Sequence, residues 1–211
     1  MKKLAILGAS GHGKVIADCA EVLGWDSISF FDDSWPTIKK NAHWNVIGNT
    51  ISLIEKASEF DGIFVAIGNN EIREQKVKLL KKNTVSDFPT LIHPSAQISR
   101  YATIGHASII LAGAVINAYT TIGDGVIINT SASIDHDCTI GSFVHVSPGS
   151  RVAGSVKVGD LSWLGIGSSV IQNVNIEENC IIGAGAVVVK NVPKNITAIG
   201  IPARPKLKKS N

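Results

Sequence analysis

From Ile92 to Val188 every sixth residue is Ile, Val or Leu, seventeen positions in succession. Four residues after each stands a small or β-branched side chain, from Ala96, Ala102 and Ser108 through Cys138 to Val192. A period of six suits neither a helix nor an ordinary strand. It suits a solenoid, in which each hexad supplies one short strand and a corner and each coil stacks on the last. Alternation along a strand turns the first and fifth hexad positions inward and the sixth outward. Gly105, Gly123, Gly141 and Gly159 all occupy the second hexad position, eighteen residues apart. A corner shared along one edge explains that spacing, so three hexads complete a coil and the cross-section is a triangle.

The solenoid accounts for about half of the 211 residues. The remaining N-terminal stretch is long enough for a small domain of its own. A net charge of +3 argues against a nucleic-acid or membrane partner. Basic residues gather at Arg204, Lys206, Lys208 and Lys209, first read as a solvated tail and second as a phosphate-binding strip. Cys138 and Cys180 fall on the small inward hexad position and read as core fillers, and Cys19 lies in a predicted helix. An odd number of cysteines without a disulfide pattern points to a reducing compartment. The apolar run after Met1-Lys2-Lys3 ends at Gly8, too short for a signal peptide or a span. A cytoplasmic location is expected.

The first 88 residues read as a Rossmann-like α/β domain. Leu4-Ala5-Ile6-Leu7 is a strand that runs into Gly8-Ala9-Ser10-Gly11-His12-Gly13, and a helical pattern follows to Gly24. Ile28 to Phe31 is a second strand ending in Asp32-Asp33, and Ile63 to Ile67 a third ending in Gly68-Asn69-Asn70. Helices are predicted over 51–58 and 71–82. Such alternation makes a parallel sheet with crossover helices. Its carboxyl edge is where ligands bind in open α/β sheets, and Gly8 to His12, Asp32-Asp33 and Gly68-Asn69 all fall there. The glycine pattern is G-x-x-G-x-G rather than the dinucleotide G-x-G-x-x-G, so a tight turn without ligand is the competing reading.

On the solenoid, Asp135-His136-Asp137 combines an imidazole that titrates near neutrality with carboxylates that favour its protonated form. One coil on from His136 is Gly154, which places a residue without a side chain over the imidazole and a bare N–H nearby. Outward positions form a polar column, Thr103, Thr121, Thr139, Lys157 and Asn175, and an apolar one, Ile109, Ile127, His145, Trp163 and Ile181. The apolar column is expected to be exposed and to serve as a partner surface.

An α/β head carrying GASGHG and FFDD, followed by unbroken hexads with Ile134-Asp135-His136-Asp137-Cys138, resembles the sugar-nucleotide acetyltransferases of bacterial glycan synthesis. The UDP-N-acetylbacillosamine-type N-acetyltransferases are the nearest in layout, and the sialic acid O-acetyltransferases share it. The resemblance implies a left-handed parallel β-helix over 89–211 with a C-terminal loop at Gly200-Ile201-Pro202-Ala203-Arg204. It implies acetyl-CoA as cosubstrate, no metal, and a homotrimer with active sites between subunits. His136 matches the general base, with Asp137 raising its basicity and Asp135 a rival for that role. His145, Gly154, Ile166, Ala184 and Arg204 match the acetyl-CoA site. Ser10, Gly11, His12, Asp32, Asp33 and Gly68 are the candidates for the sugar-nucleotide. The implied reaction is acetylation of the 4-amino group of a UDP-4-amino-4,6-dideoxy-N-acetyl-hexosamine, with O-acetylation of sialic acid or another sugar hydroxyl as the alternative. A zinc hydratase on His106, His136 and His145 and a non-catalytic scaffold are weaker readings.

Overall fold

The computed structural model describes residues 1–206, so Lys208 and Lys209 lie outside it. The chain divides into two units, one from Met1 to Pro94 and one from Ser95 onward.

In the first unit, β1 (Lys3–Leu7) lies between β2 (Ser27–Phe31) and β5 (Gly62–Val65), all parallel. Its residues Leu4 to Leu7 are buried, as a strand covered on both faces must be. Helices α1 (Gly11–Val22), α2 (Thr50–Glu55) and α3 (Asn70–Asn83) connect or follow the strands. Asn49 and Asn69 start α2 and α3 by accepting from the Ser52 and Ile72 N–H groups at 3.0 Å each. Between β2 and α2 a small hairpin pairs β3 (Lys40–Asn41) with β4 (Trp44–Asn45). The strand order reverses on either side of β1, so the switch point opens between the carboxyl ends of β1 and β5. The two loops meet tightly there. Gly8 has φ +115°, and a Cβ on it would sit 2.7 Å from the Ala66 carbonyl oxygen.

The second unit is a three-sided parallel solenoid. Its first face stacks six two-residue strands from Gln97–Ile98 to Val187–Val188, and its second stacks five from Thr103–Ile104 to Asn175–Ile176. The third runs from Ile109–Ile110 through His145–Val146 to Ile181–Ile182, then to Thr197–Ile199 and the antiparallel Arg204–Pro205. From Gln97 to Val188 the strand pairings are offset by eighteen residues, as between Ile127 and His145, and the last coil closes at sixteen, Ile181 pairing with Thr197. The inward hexad positions build one continuous core, from Ile110 and Ala114 through Ile134 and Cys138 to Val188 and Val192. Hydroxyls at the small inner position are satisfied by backbone. Thr120 Oγ1 donates to the Asp135 carbonyl at 2.6 Å and Ser162 Oγ to that of Glu177 at 2.9 Å. The spaced glycines are explained by close stacking: a Cβ on Gly123 would lie 2.8 Å from the Gly141 carbonyl carbon of the next coil.

Candidate active site

The Asp135–His136–Asp137 corner joins the first face at Ser133–Ile134 to the second at Thr139–Ile140. Asp137 has φ 58°, a left-handed turn that brings its carboxylate back alongside the preceding ring. His136 Nδ1 lies 2.7 Å from Asp137 Oδ2. Asp135 has a different task. Its Oδ1 accepts the His136 N–H at 2.8 Å and the Asn117 side-chain amide at 2.9 Å. It therefore fixes the backbone of the corner while Asp137 holds the ring. These two hydrogen bonds to Asp135 hold its carboxyl below the usual range. The hydrogen bond that Nδ1–H donates to Asp137, then the charge of Asp135, raise the His136 pKa above its ordinary value.

Gly154 sits over the imidazole as the eighteen-residue spacing predicts. A Cβ on it would be 2.6 Å from His136 Cε1 and 2.7 Å from Nε2. The adjacent Ser155 N–H is bonded to the His136 carbonyl at 2.9 Å, whereas the Gly154 N–H has no hydrogen-bond partner among the described residues. With Nδ1 engaged by Asp137, Nε2 is the ring nitrogen left to take a proton. A cleft of about 390 Å³ with a mixed lining adjoins this corner, bordered by Asn117, Asp135, Arg151 and Gln172 among others.

His145, Ile166 and Ala184 come together elsewhere, in an apolar cleft of about 500 Å³ on the third face and the corner after it. Its size suits a small-molecule site. His145 and Trp163 stack with centroids 4.9 Å apart, and Trp163 Nε1 donates to Ser147 Oγ at 2.8 Å. Asn129 Nδ2 lies 3.3 Å from His145 Nε2. Gly154 and Arg204 do not line this cleft. The Arg204 guanidinium donates to the neighbouring Ala203 carbonyl at 2.8 Å and borders a separate cleft of about 260 Å³ with Lys190 and Val192.

The apolar column differs from expectation. Ile109 and Ile127 point outward by strand parity, yet they are 0% and 1% exposed within the single chain. Ala107, Leu111 and Phe143 are buried too, so this end of the column is not open surface in the single chain. Only Trp163, partly, and Ile181, 48% exposed, remain as open apolar surface on the column. The second face keeps its expected character, with Thr103, Thr121, Thr139, Lys157 and Asn175 exposed.

In the first unit the switch point has Ser10 capping α1 and Gly11 and His12 opening it on one side, and Gly68 in the loop before α3 on the other. Asp32 organises the glycine loop, accepting the Ala9 N–H at 2.8 Å and the Ser34 N–H at 2.9 Å. Asp33 is engaged in a network that the sequence did not reveal. It accepts from the Thr50 hydroxyl at 2.6 Å and N–H at 3.0 Å, and pairs with Lys76 at 2.6 Å. Burial, then the charge of Arg73, lowers the His12 pKa to about 4, so its ring is neutral at physiological pH. Arg73, 2% exposed, anchors the β5–α3 loop through the Ile67 and Gly68 carbonyls at 2.9 and 3.1 Å. Its place in a largely charged helix hid that role, because Arg73 reads there as one more solvated side chain.

A triangular hexapeptide solenoid with an acid-tethered histidine at one corner and an apolar cleft on another face defines a hexapeptide-repeat acyltransferase. Residues 3–80 match the PglD N-terminal domain family, and residues 119–154 match the bacterial transferase hexapeptide (six repeats) family. The acetyltransferase domain of PglB from Neisseria gonorrhoeae FA1090 is 41% identical with a TM-score of 0.92, covering 98% of this chain and 100% of that one. PerB from Caulobacter crescentus, solved with CoA and GDP-perosamine, is 35% identical with a TM-score of 0.92 over 98% of both chains. UDP-N-acetylbacillosamine N-acetyltransferase from Bacillus subtilis (strain 168) is 38% identical over 115 residues, 53% of this chain and 52% of that relative. The match thus spans about half the length of that curated relative. The chain belongs to the hexapeptide-repeat sugar-nucleotide acetyltransferases, and its solenoid is the left-handed β-helix of that family.

Proposed function

We propose that this protein transfers the acetyl group of acetyl-CoA to the 4-amino group of a UDP-4-amino-4,6-dideoxy-N-acetyl-hexosamine. The reading rests on one observation above the others: His136, tethered through Nδ1 by Asp137, faces a glycine. As the amine nitrogen attacks the thioester carbonyl, His136 Nε2 accepts its proton. The carbon–sulfur bond then breaks, and the proton passes to the departing CoA thiolate. The Gly154 N–H is a suitable donor to the developing oxyanion. Relatives support both substrates: a PglB acetyltransferase domain was solved with acetyl coenzyme A, and PerB with CoA and a nucleotide-linked amino sugar.

His136 and the His145–Ile166–Ala184 cleft lie at different corners of one solenoid, with the first face between them. A threefold assembly would set the cleft of one copy beside the His136 corner of the next, which is the basis for proposing a homotrimer with shared sites. The sugar-nucleotide is assigned to the switch point of the first unit, through Ser10, Gly11, His12, Asp32 and Gly68. Asp33 contributes there while held by Lys76.

The test is thiol release from acetyl-CoA with a panel of nucleotide-linked amino sugars and hydroxy sugars. The expected result is turnover with the UDP-4-amino sugar and a loss of about 10²–10⁴-fold in His136→Ala, with an unchanged far-UV spectrum. Preference for a sugar hydroxyl would overturn the substrate, and near wild-type turnover in the variant would overturn the base.

A further inference from the structure

The corner that carries His136 repeats along the solenoid, and the coils before it present aromatic side chains at the same edge. Tyr101 and Tyr119 are 52% and 66% exposed, and their rings stack with centroids 5.4 Å apart and planes 16° apart. The Arg100 guanidinium lies 5.0 Å from the Tyr101 ring and braces the far end. Tyr119 occupies the position one coil before Asp137, and the two corners are joined by the Asp137 N–H donating to the Ala118 carbonyl at 3.0 Å. Side-chain length therefore falls along the edge, from Tyr119 to His136 and Asp137 and then to Gly154 and Ser155. The exposed Tyr119 ring thus stands one coil before Asp137, on the edge where His136 and Gly154 follow.

We propose that Tyr119, supported by Tyr101, is the binding platform for the pyranose ring of the acceptor sugar, packing on its apolar face and setting the amine over His136 Nε2. Two exposed aromatic rings held parallel are an apolar surface that water would not favour without an occupant. The ring hydrogens and the 6-deoxy methyl of a dideoxy amino sugar supply the matching surface, and the amine then lies on the side where the base stands. The platform rests on the functional reading above and adds to it a determinant of ring position and of 6-deoxy preference. The adenine of CoA is the competing planar occupant, and kinetics separate the two.

Asn173 takes the Tyr119 position three coils later with φ 61°, close to the 59° of Tyr119, so Tyr119→Asn preserves the backbone of the corner. With acetyl-CoA saturating, Tyr119→Asn should raise KM for the nucleotide-linked 4-amino sugar by about 10-fold and erase any preference for a 6-deoxy over a 6-hydroxy ring. Tyr119→Phe should stay within about twofold of wild type, because the ring rather than the hydroxyl does the work. KM for acetyl-CoA should not move in either variant. An unchanged sugar KM in Tyr119→Asn, or a rise in the acetyl-CoA KM instead, overturns the platform while leaving the acetyltransferase reading intact. A wild-type protein that acetylates no nucleotide-linked sugar removes both together.

Discussion

Asp135 and Asp137 flank the same histidine and look interchangeable in sequence. The left-handed corner separates them, because a positive φ at Asp137 folds its carboxylate onto Nδ1 while Asp135 caps the backbone N–H. From Ala107 to Gly185 the fourth residue of each hexad makes that turn, so the Gly and Asn that recur there were the signal that could have singled out Asp137. The contact of Gly154 with His136 was legible too, because it follows from strict eighteen-residue stacking. Asn117 could have been found the same way, lying one coil before Asp135. The division of labour is testable through pH. A base must be neutral to act, so kcat/KM climbs as pH rises through the His136 pKa, which stands above its ordinary value. Asp137→Asn removes the leading cause of that elevation, so the acidic limb should move to lower pH and the plateau should fall. Asp135 remains in that variant and keeps part of the elevation. A limb that stays in place would deny Asp137 its orienting role.

At the level of single elements, the helices of the first unit begin and end within a few residues of where periodicity put them. α3 runs from Asn70 to Asn83 against a prediction of 71–82. α2 is shorter than 51–58 because the backbone tightens into a single 3-10 turn at Ala57–Glu59. The glycines of the first loop proved to be packing devices as much as ligand devices: a Cβ on Gly13 would strike the Gly8 carbonyl and approach Phe30 Cε1 to 2.9 Å. His12, at the start of α1, carries a consequence for stability. Its folded pKa of about 4 lies below that of the unfolded chain, so the unfolded state binds the proton first. Stability is therefore full above the unfolded value of about 6.5 and falls as pH drops toward the folded one. The loss at pH 5 relative to pH 8 should be on the order of 2 kcal/mol for this group. Urea melts at both pH values should show it in wild type and show it reduced in His12→Gln. Equal losses in the two proteins would place the acid sensitivity elsewhere.

For the molecule as a whole, the solenoid was readable because period, parity and spacing all restate one geometric repeat. Handedness was not, since its mirror image would satisfy the same pattern; it rests on the family. Parity also overreached in one respect. It correctly turned Ile109 and Ile127 outward but could not reveal that both are buried within the single chain. Ile127→Lys should accordingly destabilise the solenoid of an isolated chain, because a buried ammonium is left without water. Ile181→Lys should leave the fold intact and weaken the proposed trimer along with acetyl-CoA use. Sedimentation decides between them: a fully associated Ile181→Lys protein would exclude that end of the column from the interface.

The three-faced coil also acts as a reading frame for insertions and deletions. Adding or removing six residues would preserve every inward side chain yet rotate all later residues by one face, about 120°. Removing eighteen would shorten the stack and leave each later side chain on its own face. Length variation that spares catalysis is thus confined to whole coils, and even a core-neutral loss of one hexad between Val146 and Gly159 would carry the Ile166 surface away from His145 while His136 stayed where it was.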